Sequence, residues 1–302
     1  MNNCLNTEKC FITMHDYDKA CNPNMSEVPI KILSFKQCNQ PINFFNNSNE
    51  LNLPYTATSP NLLASFLKIP ANAKMNIDLI CSSQMFYIIY GSGYLVTNYG
   101  NIHFNDGDLI SAPYKDKQFI RVSKDTCIYW VNDNPLMQYM GVAPVRDIIP
   151  PLIYQKDAME LKLMNINNHE NAKNKNRNGI LLSNTTTDAI GTKTLTHILW
   201  SLLNVVFPNS VQKPHRHNSV ALDLCVYAVP HKVYTIMGKE LDENGNIKNP
   251  IKVYWYTYSA FTTPPGWWHS HVNESNEKAI VLPVQDAGLY TYQRTLDIQF
   301  VK

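Results

Sequence analysis

Short runs of β-branched and aromatic residues, cut by turn residues, dominate the pattern of apolar and polar positions along the chain. From about residue 75 to 145 they include Gln84 to Tyr90 and Tyr94 to Gly100, with Gly91-Ser92-Gly93 between them. The pattern resumes near residue 195 with Thr196 to Leu203 and Ser219 to Ala228. Several such runs in succession predict an antiparallel barrel or sandwich of hairpin-linked strands. The two stretches therefore look like one architecture that occurs twice.

The segments around these two stretches carry different patterns. Asn61 to Leu67 predicts a short helix before the first stretch, and Asp157 to Leu163 predicts another between the two. The run from Asn165 to Asn178, rich in Asn and Lys, predicts a mobile loop. The aromatic and β-branched residues of Tyr290 to Phe300 predict the last strand.

Length sets the number of domains. The chain has 302 residues, and domains usually contain about 100–150 residues, so two domains are expected. Together with the strand pattern, this predicts an all-β protein with short helices. Its parts are an N-terminal extension over residues 1–55, a first barrel over 56–145, a linker with a short helix over 146–195, and a second barrel over 196–302.

Composition excludes several classes of partner. The net charge is +2 with 17% charged residues, which gives no electrostatic case for nucleic acid or a membrane surface. No apolar run approaches the roughly 20 residues that span a bilayer, and Met1 to Asn6 does not resemble a signal peptide. The seven cysteines form no C-x-x-C pair, which favours free thiols in a reducing compartment. We therefore expect a cytoplasmic protein without nucleic-acid or membrane partners.

Three histidines carry the most specific chemical signal. His215 and His217 alternate in an extended segment, so their side chains point to the same face. His269 follows a turn that contains Pro264 and Gly266, and it begins another extended segment. Imidazole is a common ligand of iron, zinc, copper and nickel. Because packing alone hardly explains this arrangement, we predict a single metal ion bound by His215, His217 and His269.

The same residues resemble the two sequence motifs of the cupins. In the second stretch the three histidines stand with Pro264, Gly266 and Asn273 at the matching positions. The resemblance implies two tandem cupin barrels, which are double-stranded β-helices of the jelly-roll type. It also implies that the histidines converge on one metal from two neighbouring hairpins.

The first stretch resembles a cupin that has lost its ligands. Gly91-Ser92-Gly93 and Gly107-Asp108 with Pro113 stand where its motifs belong. Ser82-Ser83-Gln84 replaces the histidine pair, however, and no histidine follows Pro113. The resemblance therefore implies a degenerate, metal-free first barrel.

From about residue 55 to its end, the chain is similar to the bicupins related to gentisate 1,2-dioxygenase. Most cupins add a glutamate shortly after the histidine pair, but Ala221 and Leu222 stand at that place here. The donor set is then three neutral histidines, as in the gentisate type. Gentisate dioxygenases generally hold their metal in the first barrel, whereas this chain has its histidines in the second. The resemblance therefore does not carry over the identity of the substrate.

Three facial histidines leave up to three positions open on an octahedral metal. The resemblance implies iron(II), a substrate that chelates it through a hydroxyl and an adjacent carboxylate or hydroxyl, and O2 at the remaining position. We therefore predict an Fe(II) ring-cleaving dioxygenase of the gentisate or salicylate type, which acts on a small hydroxylated aromatic or a hydroxy acid. Manganese, nickel and zinc stay open as the metal.

Other polar and aromatic residues are candidates for the surroundings of the metal. His271, which shares a face with His269, is predicted to act as an acid/base or to orient His269, with a filled interior position as the alternative. Arg294 is placed on the predicted last strand, where it would pair with a substrate carboxylate or form a surface ion pair. The candidates for substrate binding, with core packing or a turn as the alternative, are His197, Trp200, Trp268, Gln285 and Asp286.

Two other functions stay open at this point. One is a cupin isomerase, lyase or decarboxylase that uses manganese, nickel or zinc. The other is a non-catalytic cupin that binds a small ligand, and the tryptophans at 200, 255, 267 and 268 favour a ligand pocket. For the dioxygenase, the expected partners are a small-molecule substrate and O2. Bicupins often assemble through barrel faces, so the resemblance also implies a homo-oligomer.

Overall fold

The computed structural model describes residues 12–21, 24–113, 118–168 and 178–301. The strands of the first half are β1 (Ile32–Ser34), β2 (Ile42–Phe44), β3 (Leu63–Ile69), β4 (Lys74–Ile77), β5 (Gln84–Tyr90), β6 (Ser92–Thr97), β7 (Gly100–Asn105), β8 (Leu109–Ala112), β9 (Gln118–Val122), β10 (Thr126–Asn132) and β11 (Leu152–Tyr154). Those of the second half are β12 (Asn178–Leu182), β13 (Trp200–Val206), β14 (Ser210–Val211), β15 (His215–His217), β16 (Ala221–Tyr227), β17 (Val233–Gly238), β18 (Ile251–Tyr254), β19 (Ser259–Thr263), β20 (Trp268–Asn273), β21 (Ala279–Gln285) and β22 (Ile298–Phe300).

The helices are short and lie between the strands. They are α1 (Tyr17–Ala20), a 3-10 turn (Phe35–Gln37), α2 (Asn134–Met140), α3 (Lys156–Asn167), α4 (Thr185–Ala189) and α5 (Ala287–Gln293). Among the described residues, no helix combines the length and the apolar character needed to cross a membrane.

The strands form two barrels, each made of two sheets. The sheets of the first barrel have the orders β11-β8-β5-β10-β3-β2 and β4-β9-β6-β7. Those of the second have the orders β1-β19-β16-β21-β13-β12 and β18-β17-β20-β15-β22, with β14 beside β20. Each barrel has its own apolar core, to which both of its sheets contribute. The predicted all-β fold is confirmed.

A third and larger core lies between the barrels, and strand alternation explains it. In β10, Ile128 and Trp130 face the interior of the first barrel, whereas Tyr129 and its alternate neighbours pack in the shared core. In β16, Leu222 and Leu224 likewise belong to the shared core. Side chains alternate across a strand, so these central strands are buried on both faces and have nearly continuous apolar sequences.

Segments outside the predicted barrels contribute strands to them. From the N-terminal extension, β1 pairs with β19 of the second barrel and β2 pairs with β3 of the first. From the predicted linker, β12 pairs with β13 along its whole length. One of the two sheets of the second barrel thus has β1 and β12 as its edge strands, and both come from outside the range predicted for that barrel.

Several sequence-based predictions need correction. The predicted helix over Asn61 to Leu67 is wrong, because β3 lies there between β2 and β10 and is buried on both faces. The predicted strand over Thr196 to Leu203 begins only at Trp200. The predicted strand over Tyr290 to Phe300 is wrong in its first part, where α5 extends to Gln293, and only Ile298–Phe300 is a strand.

The segment between the barrels follows the prediction in part. The predicted helix over Asp157 to Leu163 is confirmed within α3, which extends to Asn167. Asn178, the last residue of the predicted mobile loop, begins β12. The centre of that loop, residues 169–177, lies outside the described residues.

Candidate metal centre

The second barrel brings three histidines together on one sheet. His215 and His217 lie on β15, and His269 lies on β20, where it is the direct partner of His215 across the two antiparallel strands. Each imidazole offers one nitrogen, and these nitrogens all lie within 4.8 Å of one another. No other group of three His, Cys, Asp or Glu side chains in the described ranges has this arrangement. His217 and His269 are buried, and His215 is half-buried.

Backbone carbonyls fix the tautomers of two of these rings. Nδ1 of His217 lies 2.8 Å from the carbonyl oxygen of Ser219, and Nδ1 of His269 lies 3.0 Å from that of Trp267. A carbonyl can only accept a hydrogen bond, so each Nδ1 carries the proton and each Nε2 carries the lone pair. This is the orientation that metal-binding histidines commonly have.

The third ring is held by stacking. Phe300 on β22 pairs with His215 on β15, and the two rings stack with centroids 5.6 Å apart and planes at 9°. Three neutral imidazoles on one sheet suit iron, zinc, copper or nickel and not the hard cations magnesium and calcium, which prefer oxygen ligands. The residues present therefore fit the predicted metal.

A cavity of about 220 Å³ opens beside the three histidines. Its walls come from the sheet strands and include Gly179 and Leu181 of β12, Trp200 and Asn204 of β13, and Phe300. A cavity of about 150 Å³ can hold benzene. The space beside the histidines therefore suits a single aromatic ring with small substituents.

A chain of hydrogen bonds positions a fourth histidine at this cavity. His271 lines the cavity and is 5% exposed. Its Nδ1 lies 2.9 Å from Oγ1 of Thr235, which accepts a hydrogen bond of 2.8 Å from Nε1 of Trp255. The indole ring also contacts the imidazole edge-on, with centroids 5.1 Å apart. The ring of His271 is thus fixed from behind by two buried residues.

The same cavity contains a carboxyl group that the sequence reasoning missed. Asp223 on β16 is 2% exposed and lines the cavity. Oγ1 of Thr263 donates a hydrogen bond of 2.6 Å to it. Burial raises the pKa of Asp223 to about 7, although the bond from Thr263 lowers it. Its place two residues after Ala221, on the same face of β16, is the signal that could have revealed it.

Two of the predicted substrate-binding residues line the cavity, namely Trp200 and Gln285. Gln285 is the last residue of β21, and its Oε1 accepts a hydrogen bond of 2.8 Å from Oγ of Ser219. That serine also supplies the carbonyl that fixes His217. Gln285 thus links the wall of the cavity to one of the three histidines.

The other predicted substrate-binding residues lie elsewhere. His197 precedes β13 and contacts the first barrel, with Nε2 3.0 Å from Oγ of Ser82, and burial lowers its pKa. Trp268 packs under the guanidinium of Arg216, 5.2 Å from its ring centroid. Asp286 is buried beside the cavity wall and accepts hydrogen bonds from the side chain of Asn61 and the backbone of Val220. None of these three residues is among the described residues that line the cavity.

Arg294 is not on a strand and does not line the cavity. It ends α5 in the left-handed conformation at φ 63°, and its exposed guanidinium bonds back to the carbonyl of Tyr292. The predicted placement of Arg294 on a strand is therefore wrong, because the residue ends α5 and its side chain is exposed, whereas its contact with a substrate carboxylate stays a prediction.

The first barrel contains a buried hydrogen-bonded group formed by Gln84, Gln118 and Trp130. Nε2 of Gln84 donates to Oε1 of Gln118, and Oε1 of Gln84 accepts from Nε1 of Trp130, both at 2.9 Å. Nearby, Asp133 accepts hydrogen bonds from the backbone of Ser82 and Ser83, and burial raises its pKa to about 6. That this barrel binds no metal stays a prediction.

No family model matches the chain, and no curated protein matches it. Solved structures do. The salicylate 1,2-dioxygenase of Pseudaminobacter salicylatoxidans superposes with a TM-score of 0.72 at 11% identity, over 95% of this chain and 92% of that one. A single-residue variant of that enzyme in complex with gentisate gives the same TM-score and identity, with 93% and 88% covered. A single-residue variant of oxalate decarboxylase from Bacillus subtilis gives a TM-score of 0.56 at 13% identity, with 88% and 78% covered. The chain therefore has the bicupin fold, two cupin barrels in tandem.

Proposed function

We propose that the protein is an iron(II)-dependent dioxygenase that cleaves the ring of a small hydroxylated aromatic compound. The observation that carries this proposal is the triad of His215, His217 and His269 at a cavity of about 220 Å³. The similarity in fold to salicylate 1,2-dioxygenase supports the same reaction class. The proposed metal lies in the second barrel.

The chain's own residues would hold and orient the reactants. Nε2 of His217 and His269 would face the metal because their Nδ1 atoms are bonded to carbonyls. Iron(II) at this position would supply the redox chemistry with O2. Trp200 and Phe300 provide flat apolar walls for an aromatic ring.

We propose His271 as the group that moves a proton on the substrate. The most economical arrangement has the hydroxyl of Thr235 accept from Trp255 and donate to Nδ1 of His271. Nε2 of His271 then carries the proton on the side of the ring away from Thr235. In this tautomer Nε2 can donate a hydrogen bond to a substrate oxygen. In the other tautomer, in which Nδ1–H donates to the hydroxyl of Thr235, Nε2 can accept a proton from that oxygen.

Two broader expectations are proposed with this function. The described cysteines, Cys21, Cys38, Cys81, Cys127 and Cys225, are free thiols, which agrees with a reducing compartment such as the cytoplasm. We also retain the prediction of a homo-oligomer, which size-exclusion chromatography with light scattering would test.

Anaerobic purification with metal analysis is the first test. We expect about one iron per chain and O2 uptake when the protein is mixed with a panel of hydroxylated benzenes and hydroxybenzoates. Stoichiometric zinc without O2 uptake on the whole panel would refute the dioxygenase. Release of CO2 from a dicarboxylate without net O2 uptake would favour instead a decarboxylase, the class of the oxalate decarboxylase that shares the fold.

A further inference from the structure

The cavity beside the three histidines has an unusual balance of charge. Asp223 is the only Asp, Glu, Lys or Arg among the described residues that line it. Its carboxyl group is 2% exposed and is bonded to Thr263 inside the barrel. Apart from a bound metal, the described cavity wall therefore offers a ligand one acidic group and the imidazole of His271, but no lysine or arginine.

The arginines on the elements that form the site are directed elsewhere. The guanidinium of Arg216, which lies between two of the histidines on β15, stacks on Trp268 and donates to Gln299 at 3.1 Å. The guanidinium of Arg294 is exposed beyond α5. Neither arginine is among the described residues that line the cavity.

This balance disfavours a ligand that carries a carboxylate. A second carboxylate beside Asp223 would repel it in a medium of low dielectric constant, unless one of the two takes up a proton. A buried carboxylate normally needs a basic partner such as a bidentate arginine. A hydroxyl or amino group, by contrast, can donate a hydrogen bond to Asp223 at no cost in like-charge repulsion.

We propose that the ligand of this cavity is a single-ring aromatic diol with adjacent hydroxyls and no carboxylate, and that Asp223 is the residue that sets this preference. The inference rests on the proposed function, because it assumes a metal on the three histidines that the ligand chelates. Asp223 accepts a hydrogen bond from the chelating diol and rejects a hydroxybenzoate of the same size. The wall residues Trp200 and Phe300 hold the ring in either case.

Ligand affinity tests this without any turnover. Catechol and salicylate differ in that a hydroxyl of one replaces the carboxylate of the other. Titration calorimetry would measure both on zinc-loaded protein in the absence of O2 and at about pH 8.5, where Asp223, with its pKa of about 7, is ionised. For the natural chain we expect catechol to bind at least about tenfold more tightly than salicylate, since like charges placed together cost several kcal/mol.

The variant Asp223→Asn keeps the shape of the side chain and removes its charge. We expect it to reduce the preference for catechol by about tenfold, mainly through tighter binding of salicylate. Asp78→Asn makes the same change on the exposed surface of the first barrel and should leave the preference unaltered. Zinc content and thermal unfolding show whether each variant is folded, and the comparison of the two ligands on the natural chain stands without either variant.

The outcomes separate this inference from the proposed function. Equal or tighter binding of salicylate by the natural chain would overturn it. So would an unchanged preference in a folded Asp223→Asn variant, or no binding of either ligand to zinc-loaded protein. A clear preference for catechol in a protein that shows no O2 uptake with iron would support the inference and refute only the dioxygenase.

Discussion

Asp286 makes the stability of the protein depend on pH in a direction that can be calculated. Its carboxyl group is 3% exposed and accepts hydrogen bonds from Nδ2 of Asn61, at 2.7 Å, and from the backbone of Val220, at 3.0 Å. These bonds lower its pKa, but burial outweighs them and raises it from 3.8 to about 6. The folded protein therefore keeps a proton there that the unfolded chain has already lost.

The sign follows from proton linkage. Below pH 3.8 both states are protonated and the group makes no difference. Between pH 3.8 and about 6 only the folded state holds the proton, so the free energy of unfolding falls as the pH rises. Above that range the loss is complete. With about 1.4 kcal/mol for each unit of pKa, the total loss is up to about 3 kcal/mol.

The variant Asp286→Asn isolates this contribution. Its side-chain oxygen can still accept from Val220, and Asn61 can turn its amide to accept from the new NH2 group. We expect the difference in unfolding free energy between the variant and the natural protein, from urea denaturation, to rise by up to about 3 kcal/mol from pH 4 to pH 7. Asp133 and Asp223, whose pKa burial also raises, are common to both proteins and cancel in the difference. The exposed Asp78→Asn serves as the control for the removal of one carboxyl group.

A constant difference between Asp286→Asn and the natural protein over this pH range would refute the reasoning. A difference that falls as the pH rises would mean that Asn61 and Val220 stabilise the carboxylate more than burial destabilises it.

Three further predictions concern the metal, the fourth histidine and the shared core. His217→Ala should lower the bound metal to well below one equivalent and leave the far-ultraviolet circular dichroism spectrum unchanged. The control His231→Ala, at an exposed histidine, should retain the metal. Full retention of the metal in His217→Ala would refute the assignment of His217 as a ligand. Thr235→Val should lower the unfolding free energy by about 1–3 kcal/mol, because Nε1 of Trp255 loses its hydrogen-bond partner. The variant should also have a lower kcat without loss of metal. An unchanged kcat would exclude His271 as the proton-transferring group. Leu224→Ala, fully buried between the barrels, should cost about 2–5 kcal/mol in urea unfolding, and Leu161→Ala, 55% exposed, much less; similar costs would contradict a tightly packed shared core.

The sequence was most informative where one residue type repeats at strand spacing. The alternation of His215 and His217 and the turn before His269 predicted three side chains on one face, and the structure brings them together. The cupin resemblance placed them in a barrel, and the fold agrees. The alternation of side chains between the two faces is a local property of a strand, so it can be recognised in the sequence without knowledge of the tertiary structure.

The secondary-structure predictions failed where this alternation is absent. It is absent where a strand is buried on both faces, and where a helix occupies part of a predicted strand. In Asn61 to Leu67 the apolar residues fit a helix or a doubly buried strand equally well, and only the neighbours β2 and β10 decide for the strand. In α5, the aromatic residues suggested a strand, but Gly288 packs directly against the carbonyl of Ile198, where a side chain would meet backbone at 2.6 Å. Such a contact depends on a distant segment and leaves no local pattern.

At the cavity too, the positions of Asp223 and Gly179 depend on more than the local sequence pattern. A break separates β16 from β15, so the histidine pair alone does not give the face of Asp223, and only its spacing from Ala221 within β16 does. Gly179 lies on β12, which was predicted as part of a linker, and it reaches the cavity only because β12 pairs with β13. The cavity wall is assembled from segments that are far apart in the chain.

The pairing of β1 with β19 has a consequence for the order of events during synthesis. Ser34 pairs with Ser259, so the two strands are about 225 residues apart in the chain. At roughly 5–20 residues per second, a ribosome needs about 10–45 s to make the partner after β1 has emerged. Until then β1 has no strand to pair with, because β19 has not yet been made. The sheet that contains β1 and β19 can therefore be completed only after Ser259–Thr263 has been made, and a nascent chain stalled before residue 259 would expose an incomplete sheet to chaperones.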